Sequence, residues 1–131
     1  MKIVAAAPPN FDEIAAAFPV VRDKAVFFAW GGTIYNPKGV TVPPAIVAHE
    51  EVHGARQLGA AQAGTARGED AIRQWWHRYI NEPSFRLLEE IPAHRAELTW
   101  WRRQPDMQKA VPGFRSKLAF YELAIAKKLA S

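Results

Sequence analysis

The chain has 131 residues, 49% of them hydrophobic, with five Trp, seven Phe and no cysteine. That is the size and composition of a single folded domain spanning residues 1–131, and it excludes disulfides and thiolate-bound metals. The formal charge is +4, but basic residues adjoin only at Arg102-Arg103 and Lys127-Lys128. This pattern reads as a solvated, arginine-rich surface rather than a nucleic-acid interface.

The chain opens with Lys2 and a short apolar run, Ile3 to Ala7, before Pro8-Pro9. That run is too short for a signal-peptide core, and no stretch approaches the eighteen or so apolar residues of a membrane span. The expectation is a cytoplasmic protein, or one released without a leader, with no membrane partner.

Asn10 and Glu13 have the spacing of a helix cap with its capping box, and Phe11, Ile14, Ala15 and Phe18 then line one face until Pro19. This helix reads as packing and nothing more. Ala25 to Trp30 is a β-type run; Gly31-Gly32 then turns it into Thr33-Ile34-Tyr35, a hairpin. Trp30 and Tyr35 read as core or rim aromatics. Thr33 to Tyr35 is expected to be an exposed edge strand able to pair with an extended peptide. Asn36 to Gly39 is a turn.

The stretch Val42 to Gln57, VPPAIVAHEEVHGARQ, carries the chemistry. Thr41 is the expected cap, and Pro43 and Pro44 suit a first helical turn, which requires no intrahelical N–H bond. His49 and His53 stand four residues apart, on one face, so both imidazoles can reach one ion. Glu50, beside the first, can hold a water next to that ion. Two neutral nitrogens, an open coordination position and a carboxylate base are what a zinc hydrolase needs. Gln57 shares the ligand face and reads as structural.

Gly59 to Gly68 is small, polar and without period, a connection and candidate lid. Ala71 to Ile80 is a helix crowded by Ile72, Trp75, Trp76 and Tyr79, and Asn81-Glu82-Pro83 ends it. Ser84 to Arg103 forms the second important helix, with Glu90, His94, Glu97 and Trp101 in one stripe. Geometry alone lets Glu90, His94 or Glu97 complete a metal site. Pro92 should kink this helix or restart it. After Pro112-Gly113, the spacing of Phe114, Leu118, Tyr121, Ile125 and Leu129 predicts an amphipathic helix. These elements give an α+β, mostly helical fold with a small β-hairpin before the HExxH helix.

Arg56 and Gly59 stand where the metzincin pattern needs Gly and His. The segment Glu90-Ile91-Pro92-Ala93-His94, however, resembles the Glu-x-x-Ala segment of gluzincin-type zinc metallopeptidases. The order of hairpin, Pro-led HExxH helix, aromatic helix and Glu helix is similar to that of minimal zincin-like domains, including small proteins of bacteria and their phages. The likeness covers about Val26 to Glu97, roughly half the chain, and Pro92 departs from the acidic residue often found there. It implies a zincin-like fold in which His49, His53 and Glu90 bind Zn²⁺ and Glu50 is the general base. Tyr79, His77 and His94 become candidate donors to the oxyanion, each with a plainer reading: helix-end packing, surface residue and ligand-orienting residue. The substrate implied is a peptide or protein. The alternative is a zinc-binding module of the same fold that lacks proteolysis and acts through a partner protein. A DNA-associated protease rests on net charge alone.

Overall fold

In the computed structural model, residues 1–106 and positions 116, 119, 120, 122–124, 126 and 127 are described. The elements run β1 (Lys2–Val4), α1 (Phe11–Ala17), a 3₁₀ turn (Pro19–Arg22), β2 (Phe28–Trp30), β3 (Thr33–Tyr35), α2 (Pro44–Leu58), α3 (Ala66–Asn81) and α4 (Pro83–Arg102). The fold is α+β and mostly helical, with one three-stranded sheet. Phe114, Leu118, Tyr121, Ile125 and Leu129, whose spacing predicts the C-terminal amphipathic helix, lie outside the described residues.

The sheet corrects one expectation. Its order is β1-β3-β2, so Thr33–Tyr35 is the central strand and not an edge. β2 pairs with it antiparallel through the hairpin, Trp30 opposite Thr33, and β1 pairs with it in parallel, Ile3 opposite Ile34. The β1 strand escaped the sequence reading because it is three residues long and mostly exposed, so it carries no alternating pattern. With β3 paired on both sides, no peptide can add to it, and the cleft expected beside it does not exist.

Helix starts follow backbone restriction more than side-chain caps. Pro44 holds Pro43 at φ −59°, ψ 142°, outside the helical region, so α2 cannot begin earlier. Thr41 is therefore too far upstream to cap it, and the Pro43 carbonyl takes the first bonds, from Ile46 and Val47. Asn10 does occupy the cap position of α1, but its side chain makes no capping bond, and both its amide atoms are buried with no partner among the described residues. The capping box with Glu13 is not formed. α3 starts five residues before its expected beginning, because Thr65 Oγ1 accepts from Gly68 N at 2.9 Å and caps it. α4 runs unbroken through Pro92. Pro92 withdraws a donor from the Leu88 carbonyl, and Leu88 stands 63% exposed, where water can serve that group.

The core is built from Ile14, Val21, Phe28, Trp30, Ile72, Trp75 and Trp76. Each large side chain buried there contributes on the order of 1.5–3 kcal/mol. α2 packs mainly along α4, with α3 and the sheet against its other sides. Its contact with the hairpin is unusually close. A Cβ on Gly54 would lie 2.1 Å from the Gly31 carbonyl oxygen, so only glycine lets the turn sit on the helix there. Gly31 itself, at φ 56°, makes the turn. One turn on, Gln57 clips the same hairpin: its Oε1 accepts from Gly31 N at 2.7 Å and its Nε2 donates to Ala29 O at 2.9 Å. Gln57 is structural, as expected. The clip sets the depth at which the histidine face of α2 meets the sheet.

Candidate metal centre

On α2, His49, Glu50 and His53 point inward and are buried, while Glu51 is exposed. The opposing face comes from the stripe on α4. His49 Nε2 lies 3.4 Å from Glu90 Oε2, and His53 Nε2 lies 3.1 Å from Glu90 Oε1. Two ligands held about 2.0–2.1 Å from one tetrahedral ion stand roughly 3.3 Å apart, so this trio has the spacing of a zinc ligand set. The donor types fit as well: two imidazoles and a carboxylate, with no thiolate anywhere in the chain.

Around that trio the orienting contacts differ for the two imidazoles. His49 Nδ1 lies 3.0 Å from Glu97 Oε1, a bond that leaves the Nε2 lone pair free for an ion. His53 Nδ1 is buried and has no hydrogen-bond partner among the described residues. Its ring is held instead by edge contacts to Trp75 and Tyr79, at 5.3 and 6.2 Å between centroids. Tyr79 stacks on Trp75 at 4.9 Å and donates its hydroxyl to Glu90 Oε1 at 2.6 Å. The Tyr79 proton thus goes to the Glu90 carboxylate, and reaching an oxyanion would require the hydroxyl to turn.

His94 also joins the cluster, with Nε2 3.4 Å from Glu90 Oε2 and its ring edge-on to His49. A second grouping, His49, His94 and Glu97, therefore also falls within ligand range among the described residues. In the first grouping both imidazoles present Nε2 to Glu90, whereas in the second Glu97 meets His49 through Nδ1. His77 does not reach the site. It is exposed on α3 and meets Asn81.

The cluster is strongly coupled. Burial opposes a charged His49, yet bonds to Glu90 and Glu97 and the nearby carboxylates outweigh it, raising its pKa to about 10. Burial also works against ionised Glu90, but the bonds from His49, His53 and Tyr79 and the His53 charge hold it far below the usual carboxylate range. Glu50 moves the other way. Burial raises it to about 7, against the pull of His53 and His49 and a hydrogen bond from the Ala29 backbone. Burial, with Glu90 beside it, pushes the Tyr79 hydroxyl well above its ordinary value, so it remains a donor.

Beside the cluster opens a cavity of about 450 Å³. One end is formed by His49, Glu50, His53 and Glu90. The walls are apolar, from Ile14 and Phe18 through Phe28 to Trp76. α1 therefore walls the cavity besides packing the core, which its sequence did not reveal. Residues 59–65 contribute nothing to this lining, so the connection expected to act as a lid does not touch the cavity. Sequence reasoning also passed over Glu89 and Arg86. Glu89, 4% exposed, accepts from Trp75 Nε1 at 2.8 Å and from Arg56 Nε, tying α2, α3 and α4 together beside the histidine cluster. Its only sequence signal is that it adjoins Glu90.

No protein-family model, curated protein or solved structure matches the chain. What the site can do therefore rests on its own geometry.

Proposed function

We propose that the protein is a zinc-dependent metallopeptidase of gluzincin type, hydrolysing a peptide or amide bond. One observation carries this reading: His49 and His53 converge on Glu90 at 3.4 and 3.1 Å, with the Glu50 carboxyl buried beside them at the end of an open cavity. His49, His53 and Glu90 would hold the metal. Zinc, when bound, supplies a Lewis acid that acidifies an adjacent water and polarises a carbonyl. Glu50 takes the proton of that water and passes it to the leaving amine, a role that suits a carboxyl with a pKa near neutrality. Glu97 fixes the His49 ring, and Tyr79 fixes the Glu90 carboxylate. His94 remains the candidate donor toward the developing oxyanion, since it stands beside Glu90 and lines the cavity.

Metal analysis combined with a peptide-library digest tests the reading. The expected result is about one zinc per chain and cleavage that Glu50→Gln abolishes without loss of metal. Full zinc occupancy in both His49→Ala and His53→Ala would remove it.

The second reading, a zinc-binding module that acts through a partner protein, draws support from the sheet. The free edge of β2 is engaged by α2 and α3: Ala29 O accepts from Gln57 and Trp76, and Gly31 N donates to Gln57. Little ladder remains for a long peptide. A stoichiometric zinc protein that cleaves no member of the library would favour this second reading.

A further inference from the structure

Among the described residues Arg86 is the one guanidinium lining the cavity, and its surroundings differ from those of five other arginines. Arg22, Arg56, Arg73, Arg78 and Arg102 each meet a carboxylate. Arg86 meets none within ion-pair distance among the described residues. It is fixed by two backbone carbonyls at the end of α3, with Nε donating to Tyr79 O at 2.9 Å and Nη2 to Ile80 O at 3.1 Å. Its planar group lies 4.8 Å from the Phe18 ring centre and 5.7 Å from that of Tyr79. A guanidinium has five N–H donors, so three remain, including the Nη1/Nη2 pair that matches a carboxylate in bidentate fashion. The cation is thus preorganised and half-buried, with no carboxylate at ion-pair distance among the described residues, in a cavity that is largely apolar away from its histidine and glutamate end.

The distance to the reacting end is short. The Tyr79 ring centre lies 5.7 Å from the Arg86 guanidinium carbon and its hydroxyl bonds Glu90 at 2.6 Å, so the cation and the candidate ligand flank one tyrosine ring. A gap of that kind is comparable to the roughly 3.3–3.6 Å span of one extended residue plus the contacts made at its two ends. A residue whose amide carbonyl sits at the metal end can therefore present its own carboxylate to Arg86 and its side chain to Phe18, Phe28 and Trp76.

We infer that Arg86 and this apolar wall form a subsite for a free C-terminal carboxylate on a residue with a large apolar side chain. This inference rests on the hydrolase reading for its consequence: the protein acts as a carboxypeptidase releasing one apolar residue. The engaged edge of β2 agrees with it, since a terminal residue needs no strand to run through. In the reaction the amide C–N bond breaks and the oxygen of water joins the acyl carbon. Both protons of water end on the released amine, leaving a shortened carboxylate and a free amino acid.

The test separates the subsite from the chemistry. Binding of 3-phenylpropionate and of 3-phenylpropionamide to the full chain is followed by the fluorescence of Trp75 and Trp76, with and without zinc. In parallel, an N-acylated dipeptide ending in Phe is offered to the zinc-loaded protein as free acid and as C-terminal amide. A charge-assisted bidentate contact predicts that the acid binds about tenfold tighter than the amide in both metal states. The free-acid dipeptide should be preferred in kcat/KM by a similar factor. Arg86→Gln should reduce the binding preference to within about twofold, and Arg86→Lys should keep part of it; circular dichroism confirms that each variant is folded. Equal binding of acid and amide to the wild type overturns the inference, and so does a preference that survives in Arg86→Gln. Should Arg86→Gln not fold, the wild-type comparison and Arg86→Lys still decide. Hydrolysis without a free-acid preference removes the subsite but leaves the peptidase, whereas acid-selective binding without hydrolysis removes the peptidase and leaves the subsite.

Discussion

Glu50 and Glu51 are chemically identical neighbours in opposite surroundings. Glu50 is buried against both imidazoles and the Ala29 backbone, while Glu51 faces solvent about a quarter-turn away. Replacing Glu50 by Gln preserves shape but removes the proton acceptor, so hydrolysis should fall about 10²–10⁴-fold with zinc retained. Glu51→Gln should remain within about twofold, and equal losses in steady-state assays would assign the pair a structural role instead. The ligand set can be resolved in the same way. Glu90→Ala removes the carboxylate facing both histidines and should weaken zinc binding by far more than the 10- to 100-fold or so seen for residues that only orient ligands. His94→Ala and Glu97→Ala should stay within that range in a chelator competition. Loss of zinc in His94→Ala with retention in Glu90→Ala would make this a three-histidine site.

At the scale of elements, the position of the histidine face depends on how deeply α2 seats against the hairpin. Gly54→Ala would drive a methyl into the Gly31 carbonyl, backbone against backbone, so neither side can rotate away. A loss of about 1–3 kcal/mol is expected, as for other overpacked positions, together with weaker zinc binding because the histidine face shifts. Gln57→Leu should cost about 1–3 kcal/mol by a different route, leaving the Gly31 amide buried without its acceptor. Chemical denaturation read alongside zinc affinity checks both. Unchanged stability in Gly54→Ala would mean that the hairpin does not rest on the helix.

For the whole molecule, the coupled cluster makes stability depend on pH in a way that metal should reverse. Folding raises the pKa of His49 from 6.5 to about 10, so its contribution is full below about 6.5 and disappears as pH rises through 10. Glu50, raised from 4.5 to about 7, favours the folded state when protonated and loses that contribution as pH rises through 7. Glu90 is lowered, so its contribution is present above 4.5 and is lost as pH falls. The metal-free protein should therefore be most stable between about pH 4.5 and 6.5, with Tm declining toward pH 10. Zinc requires neutral imidazoles, so the Tm increment it gives should grow over the same rise. Thermal melts with chelator and with zinc, from pH 5 to 10, measure both slopes. A metal-free Tm that climbs from pH 6 to 9 would contradict the charge state assigned to His49.

No helix among the described residues is long and apolar enough to cross a membrane. The α+β class, the hairpin and the principal helices could be read directly from the chain, because period, glycine pairs and prolines are local signals. The i, i+4 histidines and the Glu90–His94–Glu97 stripe were likewise visible, since helical geometry fixes which residues share a face. Local pattern could not choose among Glu90, His94 and Glu97, because that choice depends on how α4 is rotated and offset against α2. Nor could it show that Thr33–Tyr35 lies inside the sheet, a fact set by pairing with Lys2–Val4, thirty residues earlier in the chain. Arg86 and the apolar wall were equally hidden. They become a cavity because α1, β2, α3 and α4 meet there, and contacts between residues so distant in sequence leave no periodic trace in any one segment.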